Sequence, residues 1–360
     1  MKEISQRAKQ YIDQLSLSVE KNIPYVTPLT ASLQANKWCN SRCEYCGIWK
    51  SNPGNPLVKD LFLAVNELSE LGVQMVSLTG GEPFLNNDLY QVIQRMNDKQ
   101  VISSTMTNGL LLNQKHLQPI LEAGLNSLCV SLDSIDPDIY KSIRGVSLGP
   151  VLKGLKYVAN IRSQYPTLFV VSINCVISKA NIDGVADLVA FCNDLDISVG
   201  FQPLHRSFES RYNPERLQFL SEDLLPLKRQ IEKLIKMKQA GSRIDNDEAY
   251  LLGFPDFLVY KRLPERTLCT AGFTTISVDV DLNVRSCWPK KPIGNLHSQK
   301  LTELWHSDIY SQNRASMLAL DCPKCWLRCH TDYLSVQWLM NLLDKILLAK
   351  SIKSECRGEA

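Results

Sequence analysis

Lys37–Trp49 reads KWCNSRCEYCGIW, and it places Cys39, Cys43 and Cys46 in one short stretch. The preceding LTASLQAN (29–36) has strand character and runs straight into that stretch, so three thiolates converge just beyond a strand end. Outward from here the periodicity alternates. Helical spacing at Leu61, Val65, Leu68 and Leu71 precedes the apolar run QMVSLT (74–79), which stops at Gly80-Gly81. Leu89, Val92, Ile93 and Met96 lead in the same way to VISSTM (101–106), and Leu117, Ile120 and Leu121 lead to NSLCVSLD (126–133). LFVVSINCVI (168–177) and ISVGFQPL (197–204) make six strands, with Val185, Leu188, Val189, Cys192 and Leu195 marking the helix between the last two. Such alternation implies an α/β fold with a parallel sheet and right-handed crossovers. Six units suit a partial (β/α)6 barrel, whose chemistry belongs at the C-terminal ends of the strands.

From about residue 216 the alternation stops, giving way to a polar helix (222–239) and a loop-rich stretch to Arg266. FTTISVDVDLNVRSC (273–287) then reads as two short strands around a Val-Asp-Leu-Asn turn. The expected division is an N-terminal extension (1–28), the barrel (29–215), a helical linker (216–265), a cysteine-rich domain (266–330), and a C-terminal helix and tail (331–360). In that last segment Trp338, Leu342 and Ile346 keep helical spacing.

With 360 residues, 44% of them hydrophobic, the chain can bury one large core and a satellite. Forty basic against 37 acidic residues leave a net charge of +3, so no nucleic-acid partner is expected. The N-terminus lacks a signal-peptide pattern and no apolar run is long enough for a transmembrane span, which points to a cytoplasmic protein. Twelve cysteines, clustered as CxxxCxxC and CxxC, suggest metal ligation rather than disulfides.

The cysteine loop resembles the CxxxCxxC motif of the radical S-adenosylmethionine (SAM) superfamily, down to Tyr45 before the third cysteine. The resemblance implies that Cys39, Cys43 and Cys46 hold a [4Fe–4S] cluster with one iron left open to chelate SAM. Reductive cleavage would then yield a 5′-deoxyadenosyl radical that removes hydrogen from a C–H bond. Zinc is the competing reading, but it prefers four ligands and the nearest histidine in sequence is His116. Gly80, Gly81, Glu82 and Pro83 resemble the GGE motif that meets the methionyl ammonium. Ser131 and Asp133 look like ribose and carboxylate contacts, with helix capping by Asp133 or Ser134 as the alternative. Asn108, in Thr107-Asn108-Gly109 after the third strand, and Asn174 in the fifth match further positions of the family, with turn or strand-end hydrogen bonding as the alternative. Arg144 falls in YKSIRG (140–145), a segment like one whose arginine lies near the cofactor; a solvated helix-end cation is the alternative. Gln202 and His205, at the end of the sixth strand, are candidate substrate contacts.

Cys269-Thr-Ala-Gly272, Cys287, Gly294-Asn295-Leu296, Leu304-Trp305 and Cys322-x2-Cys325 resemble the SPASM and twitch domains in order as well as composition. The resemblance implies that Cys269, Cys287, Cys322 and Cys325 saturate an auxiliary [4Fe–4S] cluster, leaving Cys329 as a spare or substitute ligand and Cys356 unassigned. Leu282 stands where the usual turn glycine would fall. Cys129, Cys175 and Cys192 are expected to pack in the core.

The implied activity is hydrogen abstraction from a small polar metabolite such as a sugar derivative, with flavodoxin or ferredoxin as reductant. An extension of about 28 residues is short for a leader-peptide-binding domain, so a ribosomal peptide substrate is the alternative. The tail ends Arg-Gly-Glu-Ala rather than in the double glycine of molybdenum-cofactor members, which argues against that assignment. A non-catalytic iron–sulfur scaffold or electron-transfer protein is the second alternative.

Overall fold

In the computed structural model, which describes residues 6–50, 56–162, 164, 170–205, 215–265 and 267–327, the six expected strands lie side by side in chain order. They are β1 (Thr30–Asn36), β2 (Met75–Gly80), β3 (Ile102–Thr107), β4 (Ser127–Ser131), β5 (Val170–Ile177) and β6 (Ser198–Pro203), each parallel to the next. The intervening helices are α2 (Val58–Leu71), α3 (Leu89–Asp98), α4 (Gln114–Glu122), α5 (Pro137–Arg144), α6 (Gly149–Arg162) and α7 (Val185–Asp194), preceded by α1 (Gln6–Lys21). Strand period divides the sheet into two unlike faces. Leu33, Leu78, Val130, Ile173 and Phe201 pack outward beneath the helices in the main core. Many of the alternate positions carry small polar groups: Ser32, Ser77, Ser104, Ser131, Ser172 and Ser198 line the inner face beside Met106, Cys129 and Val176.

α1 gives the N-terminal extension a role not expected for it. Its Ala8 and Leu15 pack with Leu29, Ile102 and Phe273, and with the half-buried Met75 and Val170, closing the end of the sheet where strands begin. The stretch before Arg266 also holds more than loop, since α8 (Leu224–Gln239) is followed by α9 (Glu248–Leu252) and α10 (Phe254–Tyr260). Asp247 caps α9 by accepting from the Tyr250 N–H, and Pro255 sits in the first turn of α10.

After the short α11 (Ala271–Thr274) come β7 (Thr275–Val278) and β8 (Asn283–Arg285), the expected hairpin. β7 also pairs in parallel with β1, Thr30 opposite Thr275 through Leu33 opposite Val278. β8 and β9 (Gly294–Asn295) then extend one nine-stranded sheet, order β6-β5-β4-β3-β2-β1-β7-β8-β9. α12 (Leu301–Trp305) and α13 (Asp308–Leu318) complete this region. Leu282 takes the left-handed conformation its turn requires, with φ 62°, while its side chain is fully buried. The strain costs about 1–2 kcal/mol, and burying leucine, worth about 1.5–3 kcal/mol, offsets it. Cys329, Cys356 and the expected C-terminal helix lie outside the described residues. No helix among the described residues is long and apolar enough to cross a membrane.

Candidate active site and auxiliary metal centre

The loop bearing Cys39, Cys43 and Cys46 leaves β1 through Asn36, whose side-chain oxygen accepts from the Trp38 N–H at 2.8 Å. The GGE segment is laced to the same stretch: Gly81 N–H donates to the Asn36 carbonyl and Glu82 N–H to the Trp38 carbonyl, each at 2.7 Å. This close approach explains the glycines. A Cβ on Gly80 (φ 109°) would lie 2.2 Å from the Asn36 oxygen, and one on Gly81 2.0 Å from the Trp38 oxygen. They are needed against the protein's own backbone, which is a different reason from close approach to a ligand. Pro83, buried, starts the single 3-10 turn that follows.

Glu82 is almost wholly buried. Its Oε1 accepts from the Thr107 hydroxyl at 2.7 Å and the Phe84 N–H at 3.1 Å, and its Oε2 from the Asn108 N–H at 2.7 Å. Burial still pushes its carboxyl up to about 7. Oε2, with a single donor, retains acceptor capacity. The Asn108 side chain turns to the cysteine loop, donating to Asn40 Oδ1 at 2.7 Å and lying 3.8 Å from Cys39 Sγ. Asn40 escaped the sequence reading, and Thr107 entered it only as part of the Thr107-Asn108-Gly109 segment, with no contact to Glu82 foreseen.

Asp133 is a hub engaged through both carboxylate oxygens. Its Oδ2 accepts from Tyr45 Oη at 2.8 Å and Arg144 Nε at 2.7 Å, and its Oδ1 from the Val176 N–H at 2.9 Å. Arg144 is buried rather than solvated, lies over the Tyr45 ring at 5.7 Å and reaches Cys43 Sγ through Nη1 at 3.8 Å. The last carbonyls of α5 accept from the cysteine loop, Arg144 O from Arg42 N and Ile143 O from Glu44 N. Helix capping falls to Asp136, which accepts from Asp138 and Ile139 N–H, and not to Asp133 or Ser134.

Ser131 and Asn174 are paired in register on the inner face, and Gln202 lies on the same face of β6, opposite Val176. His205 is engaged elsewhere: its Nε2 accepts from the Trp326 N–H at 3.1 Å and its ring tilts against Phe257. Burial, aided by the Lys261 charge, holds this imidazole down to about 3, hence neutral. Trp326 stacks on Tyr250 at 5.4 Å and donates its indole N–H to the Tyr250 carbonyl, so the segment after Cys325 is docked at the end of β6. Cys175 and Cys192 are buried as expected, whereas Cys129 is half-buried on the inner face with Ser131.

Cys269, Cys287, Cys322 and Cys325 line one cavity with Ala271, Pro289, Lys290 and Met317. Burial pushes Cys39 up to about 11 and Cys43 and Cys287 up to about 12, so loading either site must release protons. Among the described residues no three Cys, His, Asp or Glu side chains stand close enough to share one ion. One zinc, at Zn–S of about 2.3 Å, would hold its thiolates within about 4 Å of each other; a cubane gives each thiolate its own iron. Orphaned hydroxyls fit a sulfur-rich group as well. Ser41 and Tyr140 beside the first cysteine set, and Thr270, Ser286 and Tyr310 beside the second, are buried without hydrogen-bond partners. Each such vacancy costs about 1–3 kcal/mol unless an acceptor arrives.

A profile of the radical SAM superfamily matches residues 34–192, and one of the SPASM iron–sulfur cluster-binding domain matches residues 269–330. The chain carries a radical SAM domain joined to a SPASM domain. Together the two domains imply a SAM-binding [4Fe–4S] cluster, an auxiliary cluster and SAM itself. The chain is similar to the GTP 3',8-cyclase of Staphylococcus carnosus, at 35% identity over 178 residues, 45% of this chain and 50% of that protein. It also resembles a probable GTP 3',8-cyclase of Methanococcus aeolicus, at 26% identity over 59% of this chain and 70% of the relative. The chain thus spans about half the length of the bacterial relative. Among solved structures, Streptococcus suis SuiB bound to its precursor peptide SuiA matches with TM-score 0.66 and 18% identity, over 87% of this chain and 74% of that one. The enzyme anSMEcpe with bound AdoMet and Cp18Cys peptide matches at 0.60 and 16%, over 90% and 99%. At these identities the likeness is one of fold, and it spans the radical SAM and SPASM domains together.

Proposed function

We propose that this chain is a radical SAM enzyme acting on a C–H bond of a small, hydroxyl-rich metabolite. The observation carrying the substrate class is the inner face of the sheet. Its strand positions bear serine, threonine, asparagine and glutamine interspersed with apolar residues such as Met106, Cys129 and Val176, and none of those described is charged. Such a surface exchanges hydrogen bonds with neutral hydroxyl and amide groups at little desolvation cost, and the Asp245 carboxylate, which accepts from the Ser198 hydroxyl at 2.9 Å, gives it no counter-ion for an anion.

In this reading Cys39, Cys43 and Cys46 hold the SAM-binding cluster. When bound, cluster and SAM supply one-electron cleavage of a sulfonium and, with it, hydrogen-atom abstraction. Glu82 Oε2 receives the methionyl ammonium, with Gly80, Gly81 and Pro83 fixing the backbone around it. Ser131 and Asn174 meet the ribose, while Tyr45, Asp133 and Arg144 position the cysteine loop. Gln202 faces the substrate. His205 contributes by holding the Trp326 segment at the barrel mouth, and a small electron-transfer protein, flavodoxin or ferredoxin, supplies the electron. The barrel would end near residue 215 and the auxiliary domain begin near 266. GTP, acted on by relatives according to their name, shares the ribose hydroxyls of this class, but its triphosphate would need cations from outside this face.

The test is anaerobic reconstitution followed by incubation with dithionite and SAM. Low-molecular-mass cell extract, GTP and a peptide fraction are added separately, and 5′-deoxyadenosine is measured. Stimulation by a low-mass fraction or by GTP, with deuterium transfer from labelled substrate, supports the reading. Stimulation by peptides alone would replace the metabolite with a peptide, and no 5′-deoxyadenosine at all would leave an iron–sulfur scaffold.

A further inference from the structure

We propose that Tyr310 and Lys290 set the reduction potential of the auxiliary cluster, the tyrosine by donating a hydrogen bond to one of its sulfurs and the lysine as a fixed positive charge. The inference rests on the reading that Cys269, Cys287, Cys322 and Cys325 hold that cluster.

Tyr310, on α13, is fully buried. Its ring packs edge-on to Trp305 at 4.8 Å and lies under the Arg314 guanidinium at 4.2 Å. A phenylalanine would pack there equally well, yet the position carries a hydroxyl with no hydrogen-bond partner. The same helix carries Met317, which lines the cysteine cavity, and the phenol lies within the electrostatic reach of Cys287, so the cluster is the nearby group that could take up this unused donor. Thr270 and Ser286, next in sequence to two of the cysteines, carry orphaned hydroxyls of the same kind.

Lys290 lines the cavity with the four cysteines. Its backbone N–H donates to the Cys287 carbonyl at 3.0 Å, and its own carbonyl accepts from Arg285 Nη1 at 2.8 Å, which fixes the stem of the side chain. The ammonium donates to Ser316 Oγ and to the Asp321 carbonyl at 3.1 Å, both neutral oxygens. Among the described residues no carboxylate pairs with it. Its charge is therefore free to act on the thiolates, whereas Lys324, also at the rim, is exposed and screened by solvent.

A cluster with four thiolates is anionic and gains one more negative charge on reduction. Donors to its sulfurs and a nearby cation favour the more negative, reduced form and so raise the potential. Both devices favour an auxiliary cluster that takes up an electron readily. Tyr310 and Lys290 are thus tuning residues and do not touch the substrate.

Redox titration of the fully loaded full-length chain, followed by electron paramagnetic resonance, tests this. Added SAM identifies the signal of the first cluster, because it perturbs only that one. Tyr310→Phe and Lys290→Met should each lower the auxiliary midpoint, with about a tenfold fall in the reduced-to-oxidised ratio at fixed potential, or about 59 mV for one electron. Lys290→Arg should restore the value. Tyr310→Phe should also leave the cluster-free protein as stable as wild type, or more so, while lowering the melting temperature of the loaded protein. An unshifted midpoint in both variants with full iron content would overturn the tuning role. A wild-type protein that shows only the SAM-perturbed signal and half the expected iron would overturn the cluster reading instead.

Discussion

Arg144 and Asp133 meet at 2.7 Å with both side chains shut away from water, and the same carboxylate oxygen that holds the guanidinium also holds Tyr45. Removing either partner strands a buried charge, which costs about 3–5 kcal/mol, more than the pair itself is worth. Asp133→Ala should therefore destabilise the protein by that order, and Asp133→Ala combined with Arg144→Met by less than the two single losses added. Urea denaturation of the four species gives the coupling energy. Asp133→Ala should also weaken SAM binding without loss of iron, because Arg144 and Tyr45 lose their placement. Unchanged binding by calorimetry would remove Asp133 from the positioning set.

Replacing Cys39, Cys43 and Cys46 together with alanine should abolish one cluster and all SAM cleavage, while the auxiliary cluster still assembles. The two cysteine sets are carried by separate parts of the chain, the first on the loop after β1 and the second from Cys269 onward. Iron and sulfide counts beside a 5′-deoxyadenosine assay decide the matter, and any retained cleavage would contradict the assignment.

Glu82 makes stability depend on pH. An unfolded chain ionises this carboxyl from about 4.5 but the cluster-free fold only from about 7, because burial penalises the anion. The folded state then holds a proton that the unfolded state has lost, so stability falls as pH rises between those values. The full effect is about 3 kcal/mol at about 1.36 kcal/mol per unit. Urea midpoints measured from pH 4.5 to 7.5 should show this slope for wild type and a flatter one for Glu82→Gln. Equal slopes would show that Glu82 ionises normally. Glu82→Ala should in addition weaken SAM binding while iron content stays whole.

Loss of Cys269, Cys287, Cys322 or Cys325 should spare SAM cleavage in part yet stop substrate conversion. With these four thiolates as its ligands the auxiliary cluster would have no iron open for SAM, which would place its task downstream. Near-ultraviolet circular dichroism supplies the folding control. Cys329→Ala should leave the iron content and Mössbauer spectrum unchanged; a cluster lost with that single substitution would make Cys329 a ligand.

The six barrel strands are legible in the sequence because each has an apolar face pressed beneath helices, as with Leu33 and Leu78. Their boundaries shift by no more than two residues at either end where both ends are described. The cysteine loop and the GGE segment are legible as motifs, but the reason for the glycines is not: the Asn36 and Trp38 carbonyls lie more than 40 residues away in sequence. That Tyr45, Arg144 and Val176 engage both oxygens of Asp133 has no local signal in the sequence either. α1 and α10 were overlooked although their apolar spacing is present, at Ala8 and Leu15 and at Phe254, Phe257 and Leu258. The parallel pairing of β7 with β1 has no local signal, since a short apolar strand carries no mark of its neighbour.

That pairing has a consequence for the order in which the chain matures. β1 is made early, yet one of its edges finds its partner only when Thr275–Val278 is available. Through most of synthesis the strand that feeds the cysteine loop has an unpaired backbone edge, the kind of surface on which nascent chains associate with one another. Closing the contact across so long a separation is slow by topology. The region bearing the last cysteines therefore acts as the seal on the region bearing the first, and a ribosome-bound chain stalled before residue 275 would depend on chaperones to keep its first cysteine loop from aggregation.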